Sequence, residues 1–587
     1  MEVSARLSSA LQVLLAESNH QHLCHHINHQ DIWIQLQTLQ QLLCIRPAHP
    51  PLPCQIQSDI DAVLQYQQSH RLLTSSQTIP PIASFPNVQI NLHIWKGDIT
   101  TLTDITAIVN AANSQLLGCF QPTHRCIDNV IHSVAGPRLR EACHAIMQEQ
   151  GHPEPEGSVK VTPGFNLPAQ WVLHTVGPRL HRNQHQPTAK QKMQLAKCYT
   201  ACLDAVEALP ALPDGRKVVA FCCISTGLFA FPPRIAVDIA VDAVMEWCQS
   251  HSQTSVTDVI FDIFAEGDWE LYEEKLKGLA SIYPPISKPQ SLTLQQYHSN
   301  HPPVHKARQW IQEADTLIIS AGAGLSAATG LDYTSPTLFR KHFPAFVPLG
   351  LRRLYDVFGF DGWESPMQKW GYYFNHLAMV RHWPKSPIYA ALLQLTQRFG
   401  SRYFVRTSNA DGFFVANGFD EDRVSTPQGQ YRYLQCPAKC RRDAVFLSEP
   451  YLAAALPCID PKTQCLTDVS KVPVCEYCDE ELTLCVRGGD YFNQVRFRAQ
   501  EKRYQTFLED IACASNTVIL ELGVGMNTPV VLRWHDEDVV SQSGGNVRLV
   551  RAGIGVAGCA PWDMEERNEA VGIEGGLERV LDVLLGI

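Results

Sequence analysis

The chain has 587 residues, with 48 Lys+Arg against 58 Asp+Glu, for a formal net charge of −10. At roughly 100–200 residues per domain this length holds several domains, and 45% hydrophobic with 18% charged residues excludes a disordered chain. The acidic balance argues against a general nucleic-acid binder. The 20 cysteines are too dilute for a small disulfide scaffold, so reduced thiols are expected, some of them holding metal. No stretch approaches the roughly 18–20 apolar residues that span a bilayer. Met1 to Leu15 carries Glu2 and a single Arg6 with no basic n-region, so neither a secretory signal nor a transit peptide is expected. The expected location is the cytoplasm, with the mitochondrion as the alternative.

Residues 1 to about 85 are rich in Gln and His. Leu7, Leu11, Leu14 and Leu15, then Ile32, Leu36 and Leu39, recur at helical spacing and predict a small helical region, broken at Arg46-Pro47-Ala48-His49-Pro50-Pro51. From about 86 to 282, short apolar runs (Ile105 to Val109, Trp171 to Leu173, Val218 to Phe221) alternate with helical stretches, one starting near Ile127. That alternation predicts an α/β domain. Tyr283-Pro284-Pro285-Ile286-Ser287-Lys288-Pro289 opens a linker, taken as 283–300. A second α/β domain is expected over 301–587, with strands at 316–320, 403–406, 518–521 and 547–550.

In the first domain, three polar loops follow predicted strands: Lys96-Gly97-Asp98-Ile99-Thr100, Asn110-Ala111-Ala112-Asn113-Ser114, and Ile224 to Pro232. Ligand sites in α/β sheets gather where strands end, and backbone N–H groups in the last loop can cradle phosphate. Taken singly, each loop reads equally as a plain turn. In order and content together they resemble the macrodomain family, which binds ADP-ribose, over most of 86–282. The resemblance implies a three-layer α/β/α fold. It assigns Asp98, with Ile99 beside it, to the adenine amino group; Ser225, Thr226, Gly227, Leu228 and Phe229 to the diphosphate; and Asn113 to the distal ribose. Ala230 departs from the glycine that macrodomains commonly carry there.

After Asn113 the loop holds Cys119, His124 and Cys126 within eight positions. Two thiolates and an imidazole leave a fourth position open, the mark of a catalytic rather than a structural zinc site. This loop looks like that of the zinc-dependent macrodomains, whose helical N-terminal extension also resembles residues 1–85. Zinc at the distal ribose would help cleave the glycosidic bond of an ADP-ribosylated side chain. Asp128 aligns with an acidic residue of many macrodomain hydrolases; it either orients water or favours the helix N-terminus electrostatically. His132, one turn on, reads as a histidine that packs or that supports the neighbouring site groups.

In the second domain, Ala321-Gly322-Ala323-Gly324-Leu325-Ser326 follows a strand, a dinucleotide signal that is weak alone. Three blocks add to it: Thr407-Ser408-Asn409-Ala410-Asp411-Gly412, Thr426-Pro427-Gln428-Gly429, and Gly523-Val524-Gly525-Met526-Asn527-Thr528-Pro529. Cys436-x₃-Cys440 and Cys475-x₂-Cys478, 34 residues apart, have the spacing of a closed structural Cys₄ zinc site. In this order the blocks resemble the sirtuin family, NAD-dependent enzymes with a Rossmann-like domain and a small zinc module, here at about 430–486.

Deacylating sirtuins carry a His-Gly pair eight residues before the first zinc cysteine, and the histidine acts as general base. Here that place holds Gln428-Gly429, and an amide has no usable pKa near 7. The variant looks like the class M sirtuins, protein ADP-ribosyltransferases whose substrate type is a lipoylated carrier protein. By resemblance, Asn409 and Asp411 hold the nicotinamide end of NAD and Gln428 supports the acceptor side. Gly322, Ala323, Gly324 and Ser326 contact the diphosphate, Asp332 and Tyr333 lie in the loop that closes over NAD, and Gly523, Gly525 and Asn527 hold the adenosine ribose.

The expected protein is therefore a bifunctional enzyme of reversible protein ADP-ribosylation, with NAD as cosubstrate and two zinc ions, one catalytic and one structural. The alternatives are an NAD-dependent deacylase with an ADP-ribose-binding macrodomain, and a non-catalytic NAD/ADP-ribose sensor. The fourteen remaining cysteines read as reduced thiols.

Overall fold

A computed structural model describes residues 3–28, 30–85, 88–124, 126–181, 184, 186–285, 301–512 and 516–586. The expected linker lies outside the described residues beyond Pro285. The chain forms two compact units, Met1–Tyr297 and His298–Ile587.

The first unit opens with three main helices, α1 (Val3–Glu17), α2 (Ile32–Ile45) and α3 (Cys54–His70). Each buries one stripe, including Leu7, Leu11 and Leu14 of α1, Leu36 and Leu39 of α2, and Ile56, Ile60 and Val63 of α3. This is the i, i+3/i+4 face of an amphipathic helix. The strands are β1 (Pro81–Phe85), β2 (Ile90–Trp95), β3 (Ala107–Ala111), β4 (Val159–Pro163), β5 (Trp171–Thr175), β6 (Val218–Phe221) and β7 (Asp258–Asp262). They form one sheet in the order β1-β2-β7-β6-β3-β5-β4. The five central strands are parallel, and β1 and β4 pair antiparallel at the two edges. Central strands read as unbroken apolar runs because helices cover both faces of such a sheet; β6 and β7 are buried at every position. From β3 the chain passes to β4 and back to β5 on one side of it, then to β6 on the other. Order reverses between β3 and β6, where an α/β sheet opens a ligand crevice.

The second unit is built on a six-stranded parallel sheet of β8 (Thr316–Ala321), β9 (Tyr403–Thr407), β10 (Val424–Ser425), β14 (Thr517–Leu522), β15 (Val547–Gly553) and β16 (Ala570–Glu574), ordered β10-β9-β8-β14-β15-β16. The reversal falls between β8 and β14. Inserted between β10 and β14 is an antiparallel three-stranded module of β11 (Gly429–Gln435), β12 (Val445–Leu447) and β13 (Thr483–Val486). Both units have the α/β architecture that the alternation of runs predicts. The two antiparallel edge strands of the first unit are the elements that periodicity does not reveal.

Candidate functional sites

In the first unit the Asn113 loop follows β3 and the Ser225 loop follows β6, either side of the order reversal. Helix α4 (Ile127–Ala135) brings Asp128 against the Asn113 loop. Asp128 is 5% exposed. Its Oδ1 accepts from Asn110 Nδ2 at 2.8 Å and its Oδ2 from Asn113 Nδ2 at 3.3 Å. Burial pushes this carboxyl up to about 6, against the stabilising pull of Asn110, Arg140 and Asn113. Asn113 also donates to Gly118 O at 3.0 Å, so one side chain fixes both the start of the cysteine loop and the acid. Asn110, expected in the loop after the strand, lies inside β3 instead, an amide within an apolar run.

The residues expected to hold the diphosphate are arranged as a tight turn. Phe231 N donates to Ser225 O and Ala230 N to Gly227 O, each at 3.0 Å. Ser225 is buried at φ 68°, with its Oγ unpartnered. Thr226 Oγ1 donates to Cys223 O at 3.2 Å. Leu228 is 64% exposed, and Phe229 lies under Arg179 at 6.0 Å. Ala230 adopts the left-handed conformation at φ 56° that a glycine would take without strain. Asp98 is already shared: its Oδ2 pairs with Arg71 at 2.6 Å, and its Oδ1 accepts from Thr100 N at 2.9 Å and Thr100 Oγ1 at 2.6 Å. A carboxylate offers about four lone-pair sites, and these bonds occupy three of them. Ile99 is buried beside it.

Of the three expected loop ligands, Cys119 and His124 lie close, with Sγ 3.7 Å from Nδ1. The Cys126 thiol interacts with Cys119, and burial raises its pKa to about 11. The three donor atoms are not all within 4.8 Å of one another; among the described residues two other sets are.

One of these is His132, Cys143 and His174, all buried. Here the hydrogen bonds argue for packing. Asn110 Nδ2 donates to Asp128 and faces His174 Nδ1 at 3.1 Å, while His174 Nε2 lies 2.9 Å from Thr162 Oγ1 and 3.7 Å from Cys143 Sγ, so both ring nitrogens already have polar neighbours. Burial also lowers the His174 pKa to about 4 and raises the Cys143 thiol to about 12. His132 is buried with neither ring nitrogen hydrogen-bonded, and burial holds it neutral.

The other set is Cys436, Cys440, Cys475 and Cys478. The Sγ atoms of Cys436 and Cys478 are 3.6 Å apart, as are those of Cys440 and Cys475. A disulfide would bring the sulfurs to about 2.05 Å. Four sulfurs at about 2.3 Å from a tetrahedral zinc would be roughly 3.8 Å apart, so the quartet fits zinc.

In the second unit the loops after β8 and β14 cross backbone on backbone. Gly324 N donates to Gly523 O at 3.0 Å, and a Cβ on Gly324 would meet Gly523 Cα at 2.7 Å. Gly523 itself lies at φ +59°. Beside this crossing, Asn409 is 8% exposed and donates to Gly322 O at 2.9 Å and to Ser326 Oγ at 3.0 Å. Ser326 donates in turn to Asp411 Oδ2 at 2.6 Å. Burial raises the Asp411 pKa, offset by the bonds from Ser326 and the Phe413 amide. Thus Gly322, Gly324, Ser326, Asn409, Asp411 and Gly523 converge, and Ala323 opens the short helix Ala323–Ala328 among them. Gly525 has open space around it, and Asn527 is exposed. Asp332 Oδ1 accepts from Thr334 N at 2.8 Å and from Thr334 Oγ1 at 2.7 Å. Tyr333 OH lies 3.1 Å from His376 Nε2. At Gly429, φ +94°, an added Cβ would lie 2.1 Å from Cys485 O, so the chain after Gln428 can turn there only with glycine. Gln428 Oε1 is buried and unpartnered.

The Macro domain family matches residues 109–240. A Fusarium oxysporum f. sp. cubense protein described as "Probable bifunctional ADP-ribose hydrolase/ADP-ribosyltransferase" is 46% identical over 579 residues, covering 97% of this chain and 95% of its own. A Treponema medium "Protein-ADP-ribose hydrolase" is 50% identical over 182 residues, 31% of this chain and 66% of that protein. The solved Oceanobacillus iheyensis macrodomain with MES bound aligns at 33% identity over 34% of this chain and 96% of its own, with a TM-score of 0.29.

Proposed function

The chain belongs to the family of bifunctional ADP-ribose hydrolases/ADP-ribosyltransferases, and on that premise we propose a finer division of labour. The second unit is a sirtuin-like transferase that moves ADP-ribose from NAD to a lipoylated carrier protein. The first unit is a zinc-dependent hydrolase that removes it. The observation that carries the transferase reading is the Asn409–Ser326–Asp411 network, seated on the glycine crossing at the order reversal.

In transfer, the bond between nicotinamide and the ribose anomeric carbon breaks, nicotinamide leaves neutral, and the acceptor forms the new bond at that carbon while losing its proton to solvent. Asn409 and Asp411 hold the nicotinamide end, so the carbon is presented rather than free to rotate. Gln428 takes no proton. Its buried, unpartnered Oε1 is an acceptor waiting for a donor, and it orients a ribose hydroxyl or the incoming acceptor by hydrogen bonding. This favours transfer over deacylation, which needs a base on the ribose.

In removal, Asn113 and Asn110 fix the Asp128 carboxylate beside the cysteine loop, where it orients the attacking water. Cys119, His124 and Cys126 would hold zinc, which when bound polarises an oxygen or lowers the pKa of water. Cys436, Cys440, Cys475 and Cys478 would hold the structural zinc of the three-stranded module. The cytoplasm is the proposed location.

The test incubates the full chain with labelled NAD and a lipoylated carrier, with and without a zinc chelator. Label should appear on the carrier and persist longer once zinc is removed. Release of acyl-ADP-ribose with no labelled carrier would sink the transferase reading.

A further inference from the structure

The N-terminal helices are built into the cysteine loop of the hydrolase half. Arg140, on α5 (Pro137–Gln150), is 6% exposed. Its hydrogen bonds go to main-chain carbonyls: Nε to Leu117 O at 2.8 Å, and Nη1 to Leu43 O at 2.8 Å and Arg46 O at 2.5 Å. Leu43 and Arg46 are the last turn and the C-cap of α2. Carbonyls at a helix C-terminus lack intrahelical partners and favour a cation. Leu117 begins the loop that carries Cys119. Arg140 also lies over the Phe120 ring at 4.5 Å. One buried cation thus fastens the end of α2 to both flanks of Cys119.

A second tie runs beside it. Cys44, 5% exposed on the last turn of α2, donates its thiol to Cys119 O at 3.1 Å and to Asn129 Oδ1 at 3.4 Å. The Asn129 amide then donates to Gln121 O at 3.3 Å and His124 O at 2.9 Å. The loop is therefore gripped at the carbonyls of residues 117, 119, 121 and 124. Arg46 is itself anchored through its guanidinium to Glu17 and to Pro50 O, so the α2 end cannot drift.

We infer that Arg140 and Cys44 are positioning residues for the metal loop, and that they make the helical extension a working part of the hydrolase site. This rests on the zinc reading proposed above. Groups that orient metal ligands typically set affinity by about 10–100-fold.

The test uses the full chain, with metal content measured by elemental analysis and release followed by competition with a chromophoric chelator. Wild type should carry two zinc ions, and Cys126→Ser one. Arg140→Gln and Cys44→Ala should each release the loop zinc about 10–100-fold more readily, while the second zinc and the transfer activity stay at wild-type level. General loosening of the fold would instead lower the melting temperature without a selective change in one metal. If both variants give competition curves superimposable on wild type, the inference fails. If Arg140→Gln does not fold, the Cys44→Ala curve decides alone. If Cys126→Ser retains both ions, the zinc reading itself falls, a result separable from an unchanged Arg140→Gln.

Discussion

Ser326 donates its hydroxyl to Asp411 Oδ2 at 2.6 Å while accepting from Asn409 at 3.0 Å, so one hydroxyl joins the loop after β8 to the loop after β9. The strands themselves are in parallel register up to Ala321 and Thr407. The hydroxyl continues that register into the loops, where the sheet can no longer enforce it. Asn409→Ala removes the donor to both Ser326 and Gly322 O. Transfer of labelled ADP-ribose should fall by about 100-fold or more, the scale for losing one preorganised polar group in a site, while hydrolase activity is unchanged. Ser326→Ala should give a smaller loss of the same kind.

Asp411 gives a pH signature. Burial raises its pKa above the ordinary aspartate value, so the folded state favours the protonated form. That contribution is fully present below the unfolded pKa and is lost as pH rises through the raised folded value. Subtracting the melting profile of Asp411→Asn, which cannot ionise, should expose this downward step at acid pH. A difference that does not vary with pH would contradict it.

Gln428 separates function from stability. A buried acceptor left unpaired costs about 1–3 kcal/mol. Gln428→Leu should therefore leave melting unchanged or raise it, and should depress transfer. Loss of both together would mean that the side chain is structural.

The quartet of thiols should behave as a folding element. Cys475→Ser leaves three ligands, and a structural zinc site contributes its binding energy to the fold. The variant should lose one zinc by elemental analysis and melt earlier in the transferase half, with the hydrolase half unaffected.

Ala230 sits at φ 56°, a conformation that costs a residue with a Cβ roughly 1–2 kcal/mol. Ala230→Gly should stabilise the chain by about 1 kcal/mol, less the entropy the glycine adds to the unfolded state. Thermal or denaturant unfolding of the variant measures the change.

Local signals carried the loops that follow the strands, since Gly-x-Gly, Asn-Ala-Asp and paired cysteines are short and each implies a backbone geometry. The Cys436 to Cys478 quartet was legible for the same reason: chelation fixes its spacing. Arg140, Cys44 and Arg71 were not legible. Among their partners are carbonyls and a carboxylate 23 to 97 positions away, and a carbonyl leaves no mark on the sequence. Asp98 shows the limit from the other side: its place in Gly-Asp-Ile-Thr was readable, whereas the arginine that shares it was not. The edge strands β1 and β4 are short, partly exposed segments, and only pairing with β2 and β5 makes them strands.

The glycine crossing also restricts where this enzyme can be re-engineered. A side chain at Gly322, Gly324 or Gly523 would meet main-chain atoms of the opposing loop at 2.6 or 2.7 Å, so no change at one of these positions can be absorbed by a rotamer next door. Gly525, on the same loop, has nothing within 4 Å. On the proposed assignment of this loop to the adenosine ribose, a library aimed at an altered dinucleotide, one bearing an extra phosphate or a bulky reporter, belongs at Gly525 and the exposed Asn527. Randomising the crossing would yield mostly unfolded protein.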